Sequence, residues 1–131
     1  MLGGRFRALA LAMGFGAIYD LAFAAAILVV PHVSSAMLRI PLPDDRFYLR
    51  LVAVLLLILG SVYLLPARDP ERFHPIAPIA AAGRVAGAVL FVLAWSEGRP
   101  ATFLVLGLAD LAIALVTLAA WARTRGVPPS A

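Results

Sequence analysis

Three charged residues stand where charge is costly. Asp20, Arg84 and Asp110 each lie near the middle of a long apolar run. A lone charge at the centre of a bilayer costs at least about 2.5–3.5 kcal/mol. At about 1.5 Å of rise per helical residue, all three fall at nearly one depth. The expected arrangement is therefore mutual pairing, with Arg84 bridging the two aspartates. If all three are ionised the group carries a net charge of minus one, relieved when one carboxyl keeps a proton. Tyr19 and Tyr63 are expected to add hydrogen bonds, Tyr63 from nearer the cytoplasmic end. The chemistry open to such a group is binding a polar ligand or moving a proton. The plainer role is a buried network that fixes helix register.

The elements that must position these residues are read from hydropathy. Crossing a bilayer takes about 20 mainly apolar residues in a helix. Four stretches meet or approach that length: 8–30 closed by Pro31, 47–65 closed by Pro66, 76–95, and 102–121 followed by Arg123 and Arg125. Pro75 and Pro78 suit the first turn of the third span, where a missing N–H costs little. Trp95 and Trp121 fall at span ends, where indoles favour the membrane interface. The fold expected is all-α, a single integral membrane domain (1–131) of four helices with short loops.

Helix periodicity gives the charges a common side. The face around Asp20 includes Gly16, Ala17 and Ala24. That around Arg84 includes Ala80, Ala81, Gly87 and Ala88, and that around Asp110 includes Gly107 and Ala114. Small residues let helices approach closely in lipid, so each charge is expected to face another helix. Gly83 and Gly87 also carry a GxxxG spacing.

Composition agrees with a membrane chain. Hydrophobic residues make up 63% of the 131 residues and charged residues 14%, against roughly half and a quarter in soluble domains. All 11 basic residues are Arg, and Lys, Asn and Gln are absent. That bias fits a GC-rich, bacterial genome rather than a chemical need. The arginines are scattered, without the basic run or aromatic interleaving of a nucleic-acid binder. With no Cys, disulfides, thiolate catalysis and Cys-held clusters are excluded. His32 and His74 are expected on opposite sides of the membrane, too few and too far apart for a metal site. No phosphate loop or serine elbow is present, and the sequence names no cofactor.

Arginine in the loops sets direction. Arg5, Arg7, Arg68, Arg72, Arg123 and Arg125 fall on one side, and Arg39, Arg46, Arg50 and Arg99 on the other. The excess places both termini in the cytoplasm of a bacterial inner membrane. Arg5, Arg7 and Ala22-Phe23-Ala24 resemble parts of a signal peptide, but the apolar run continues to Val30 and Asp20 interrupts it, so a retained helix is expected.

The longest loop, 31–46, mixes Val33, Met37, Leu38 and Ile40 with Ser34, Ser35 and Arg39, a pattern for a short interfacial helix. Asp44 or Asp45 is expected to cap the second span. The loop serves either as a lid or docking surface or simply as a connector. Glu97 and Arg99 are expected to pair in the short outer loop, and His74 to sit in a solvated one.

Arg5 before a helix bearing Gly14 and Gly16, Gly60 with Tyr63 at the end of the second span, and Arg84 with Gly87 in the third together resemble the small bacterial four-helix membrane proteins of the broad DoxX-like type. The resemblance covers most of the chain. It implies a four-helix fold and, by analogy with some members, a membrane subunit of a quinone-linked oxidoreductase. It assigns no catalytic residue.

Three functions compete. The first is an accessory subunit or small scaffold in a membrane complex; as partners, the lipid bilayer and a membrane protein or a further copy of the chain are expected. The second is a quinone-linked oxidoreductase subunit in which Asp20 or Asp110 exchanges protons, Arg84 polarises an oxygen and Tyr19 donates a hydrogen bond, its electrons coming from a partner. The third is a proton-coupled transporter. The accessory role best fits the short loops and missing motifs, and a dry, fully paired triad argues against the other two.

Overall fold

The computed structural model describes residues 3–126 and contains six helices among them. Four are long and apolar enough to cross a membrane: α1 (Gly4–Val29), α3 (Phe47–Arg68), α5 (Ile76–Ser96) and α6 (Ala101–Thr124). Two are short: α2 (Pro31–Leu38) and α4 (Pro70–Phe73). This is an all-α, multi-pass membrane bundle. Its outer faces agree, because Leu11, Phe15, Ile18, Ile79, Leu90 and Val105 are largely exposed apolar side chains that only lipid or another apolar surface can cover.

The long helices form two antiparallel hairpins. Gly14 of α1 lies beside Ala67 of α3, while Leu21 lies against Gly60, so the pairing runs in opposite directions. A Cβ on Gly60 would sit 2.7 Å from Leu21 Cγ and 3.2 Å from the Ala17 carbonyl oxygen. No side chain fits there, and the absence of one brings the two backbones together. In the second hairpin Gly107 of α6 does the same. A Cβ there would be 3.2 Å from the Ala88 carbonyl and 3.1 Å from Phe91 Cβ. Phe91 and Phe103 meet edge-on at 6.0 Å to staple α5 to α6. The hairpins join mainly where α1 faces α6, and α3 touches α5 only briefly.

Packing is uneven along the bundle. Leu9, Met13 and Ala17 of α1, Tyr63 of α3, Ala77 and Ala80 of α5 and Ala120 of α6 form a buried cluster. All lie in the half nearer the chain ends. In the other half a cavity of about 490 Å³ opens among α1, α3, α5 and α6 beneath α2.

Several local expectations need correction. Pro66 does not close the second span: α3 continues to Arg68, with the proline ring fully buried. A proline in the last turn forfeits one backbone bond, and the helix resumes with the Asp69 N–H on the Leu65 carbonyl at 2.9 Å. Residues 68–75 are not simply a solvated loop. Asp69 caps α4 by accepting from the Arg72 N–H at 3.2 Å, Pro70 occupies its first turn fully buried, and His74 Nδ1 donates to the Glu71 carbonyl at 2.8 Å.

Glu97 and Arg99 do not pair; the ion pairs among the described residues all belong to Arg84. Gly98, at φ +98°, turns the chain after α5, and the Arg99 guanidinium lies 6.0 Å from the Phe103 ring instead. Of the two aspartates before α3, Asp45 accepts the Phe47 N–H at 2.9 Å. The Trp95 side chain is exposed. Trp121 turns inward: its Nε1 is buried without a partner among the described residues, and Arg125 lies 4.8 Å over its ring.

Candidate functional site: a buried Asp-Arg-Asp group

Arg84 points from α5 into the bundle, where Ala80, Ala81 and Ala88 leave room along its own face. Its Nη1 donates to Asp110 Oδ1 on α6 at 2.9 Å. Its Nη2 lies 3.1 Å from Asp20 Oδ1 and donates to the Gly16 carbonyl at 2.9 Å, both on α1. One guanidinium therefore ties both hairpins together. The side chains of Arg84, Asp20 and Asp110 are 8%, 6% and 14% exposed, so the ion pairs are nearly dry. In low dielectric such pairing is the condition for keeping the charges at all.

Tyr19 and Tyr63 complete the surroundings, but not as expected. Their rings lie 5.4 Å and 5.7 Å from Arg84 Cζ. They meet the cation through their π-faces, a favourable contact worth about 0.5–2 kcal/mol where water is excluded. No hydroxyl hydrogen bond from either tyrosine is formed among the described residues. Tyr19 also packs on Phe23, with centroids 4.9 Å apart.

Gly16 has a part that the side-chain pattern did not reveal. A Cβ there would lie 3.1 Å from Arg84 Nη2. The glycine both exposes its carbonyl and makes space for the guanidinium that uses it. Gly87 leaves ordinary space beside Asp110, 3.5 Å from Oδ2. Gly83 meets nothing within 4 Å and faces outward, so of the GxxxG spacing only Gly87 meets another helix.

Beside Arg84 is a space of about 10 Å³, bounded by Met13, Gly16, Tyr63, Ala80, Ile113 and Thr117 among others. That is enough for about one water molecule. Thr117, only 3% exposed, escaped the sequence reading. Its signal was its position two turns after Asp110, on the same side of α6.

What the group can do follows from this geometry. The three charged side chains pair with one another, and the space of about 10 Å³ beside Arg84 admits no organic ligand. The described residues contain no cluster of His, Asp and Glu able to hold a metal ion. His32 and His74 are far apart in role as well: His32 Nε2 lies 3.3 Å from Arg46 Nη2, while His74 bonds its own turn. No family model, curated protein or solved structure matches the chain. The class that fold and site define is a small multi-pass membrane protein built around a buried ion-pair group.

Proposed function

We propose that this protein is an accessory or scaffold subunit of a complex in a bacterial inner membrane, with both termini cytoplasmic. The supporting observation is that Arg84 is held at once by Asp20, Asp110 and the Gly16 carbonyl in a largely buried setting. On this reading the charges clasp two hairpins that lipid alone would hold weakly, since lipid tails and apolar side chains attract each other equally. The rigid bundle then offers its apolar outer faces to a partner. A DoxX-like kinship is part of the same proposal, and the residues it rests on include Gly16, Tyr63, Arg84 and Gly87, which lie around the clasp.

A quinone-linked oxidoreductase subunit or a proton-coupled transporter would need Asp20, Arg84 or Asp110 to meet a substrate or a chain of waters. The space beside Arg84 fits about one water, which favours the scaffold.

Native mass spectrometry after gentle extraction from the original membrane tests this reading. A reproducible different protein in fixed stoichiometry is the expected result. A lone monomer or a pure homo-oligomer overturns it.

A further inference from the structure

The hollow half of the bundle has its own chemistry. The cavity of about 490 Å³ lies above the ion-pair group, where α3 and α5 stand apart. Its walls include Phe23, Ala26, Val52, Leu56, Phe91 and Leu106, and α2 with Pro41-Leu42-Pro43 roofs it. Its size is within the range of small-molecule sites.

The two hydroxyls in its lining are already engaged. Ser34 Oγ shares its one proton between the carbonyls of Ala26 (3.0 Å) and Val30 (2.9 Å), and Ser35 Oγ donates to that of Ile40. What remains is a hydrocarbon surface shaped for a flexible chain.

The segments that bound the cavity carry arginines next to its lining residues. Arg39 lies between the lining residues Leu38 and Ile40, and Arg50 follows the lining residue Leu49. Arg46 reaches His32, next to the lining residue Pro31. None of these arginines forms an ion pair among the described residues. Of the nearby carboxylates, Asp45 is engaged by the Phe47 N–H; with exposed Asp44 beside the lining residue Pro43, two aspartates stand against three arginines and leave an excess of one positive charge. Arg39 and Arg50 are exposed. An apolar chamber with a cationic mouth at a membrane surface complements an amphiphile with a chain and an anionic head.

We propose that this cavity retains one acyl chain of an anionic phospholipid, whose phosphate is held by Arg39, Arg46 and Arg50. The lipid fills the gap between α3 and α5 and completes the bundle above the clasp. This assignment stands apart from whether a protein partner exists.

The test uses the full chain, purified in detergent and stripped of lipid. Phosphatidylglycerol or phosphatidylcholine with identical palmitoyl and oleoyl chains is added and read by native mass spectrometry. One phosphatidylglycerol should bind, at least about fivefold more tightly than phosphatidylcholine, and Arg39→Gln or Arg50→Gln should each weaken it about fivefold. Ala26→Trp and Val52→Trp fill the chamber from separate walls and should remove the adduct while circular dichroism keeps its helical signal. Should one of the two fail to fold, the other still decides. Equal binding of the two lipids overturns the headgroup assignment. Survival of the adduct in a folded tryptophan variant overturns the cavity assignment.

Discussion

Arg84 Nη2 lies 2.9 Å from the backbone carbonyl oxygen of Gly16, an atom in the interior of another membrane-spanning helix. The bond is possible because residue 16 has no side chain: a Cβ would stand 3.1 Å from that same nitrogen. A carbonyl exposed at a glycine is a fixed acceptor that needs no rotamer. It complements the two carboxylates, which come from α1 and α6.

Gly16→Ala should therefore loosen the guanidinium and Gly16→Val should displace it. Overpacking of this kind costs about 1–3 kcal/mol. Thermal unfolding in lipid nanodiscs should rank wild type above Gly16→Ala, and Gly16→Ala above Gly16→Val. Equal stability of all three would mean that the Gly16 contact contributes nothing.

The single charge variants should differ in severity. Asp20→Asn or Asp110→Asn leaves Arg84 with one carboxylate, a neutral pair. Arg84→Met leaves two carboxylates in the bundle with no cation. Breaking a buried pair by removing one member costs about 3–5 kcal/mol, and Arg84→Met should reach that range while each asparagine variant falls short of it. Folded yield from the membrane and unfolding midpoint both read the order. An asparagine variant worse than Arg84→Met would contradict it.

The α1–α3 crossing offers a compensation test. Gly60→Ala drives a Cβ into Leu21, with 2.7 Å to its Cγ, and should destabilise the hairpin. Leu21→Ala removes that obstacle. Restored stability in the double variant, relative to the sum of the singles, is expected because the residues touch. The Ala17 carbonyl at 3.2 Å remains, so recovery should be partial.

Asp69→Ala removes the cap of α4, at a cost of about 0.5–2 kcal/mol to that turn. The bundle should keep its unfolding midpoint within a few degrees, while trypsin cuts faster after Arg68 and Arg72. Unchanged cleavage would show that Asp69 does not hold the turn.

The sequence carried the coarse architecture because lipid makes few demands and enforces them strongly. Long apolar runs must be helices, and charges within them must meet partners, so the pairing of Asp20, Arg84 and Asp110 follows from their common depth. Finer features depend on geometry between helices. Gly83 and Gly87 share a motif, yet only helix rotation decides that Gly83 faces outward. The tyrosines met Arg84 with rings rather than hydroxyls because of where α1 and α3 cross. Pro66 looked like a stop, but its buried ring sits in a turn that tolerates one lost bond. The cavity beneath α2 arises from the separation of α3 and α5, and periodicity within a helix says nothing of the distance between two.

The central claim is that the charged group is a clasp and not a reaction centre. The direct measurement is to replace all three charges together, Asp20→Leu, Arg84→Met and Asp110→Leu, and compare the variant with Arg84→Met alone. An apolar replacement of a whole buried ion group is often neutral or stabilising. The triple variant should regain folded yield in the membrane and, by native mass spectrometry, keep the protein partner proposed for the wild type. A triple variant that folds as well as wild type but loses that partner would contradict the account, and would place the protein's function in the charges themselves.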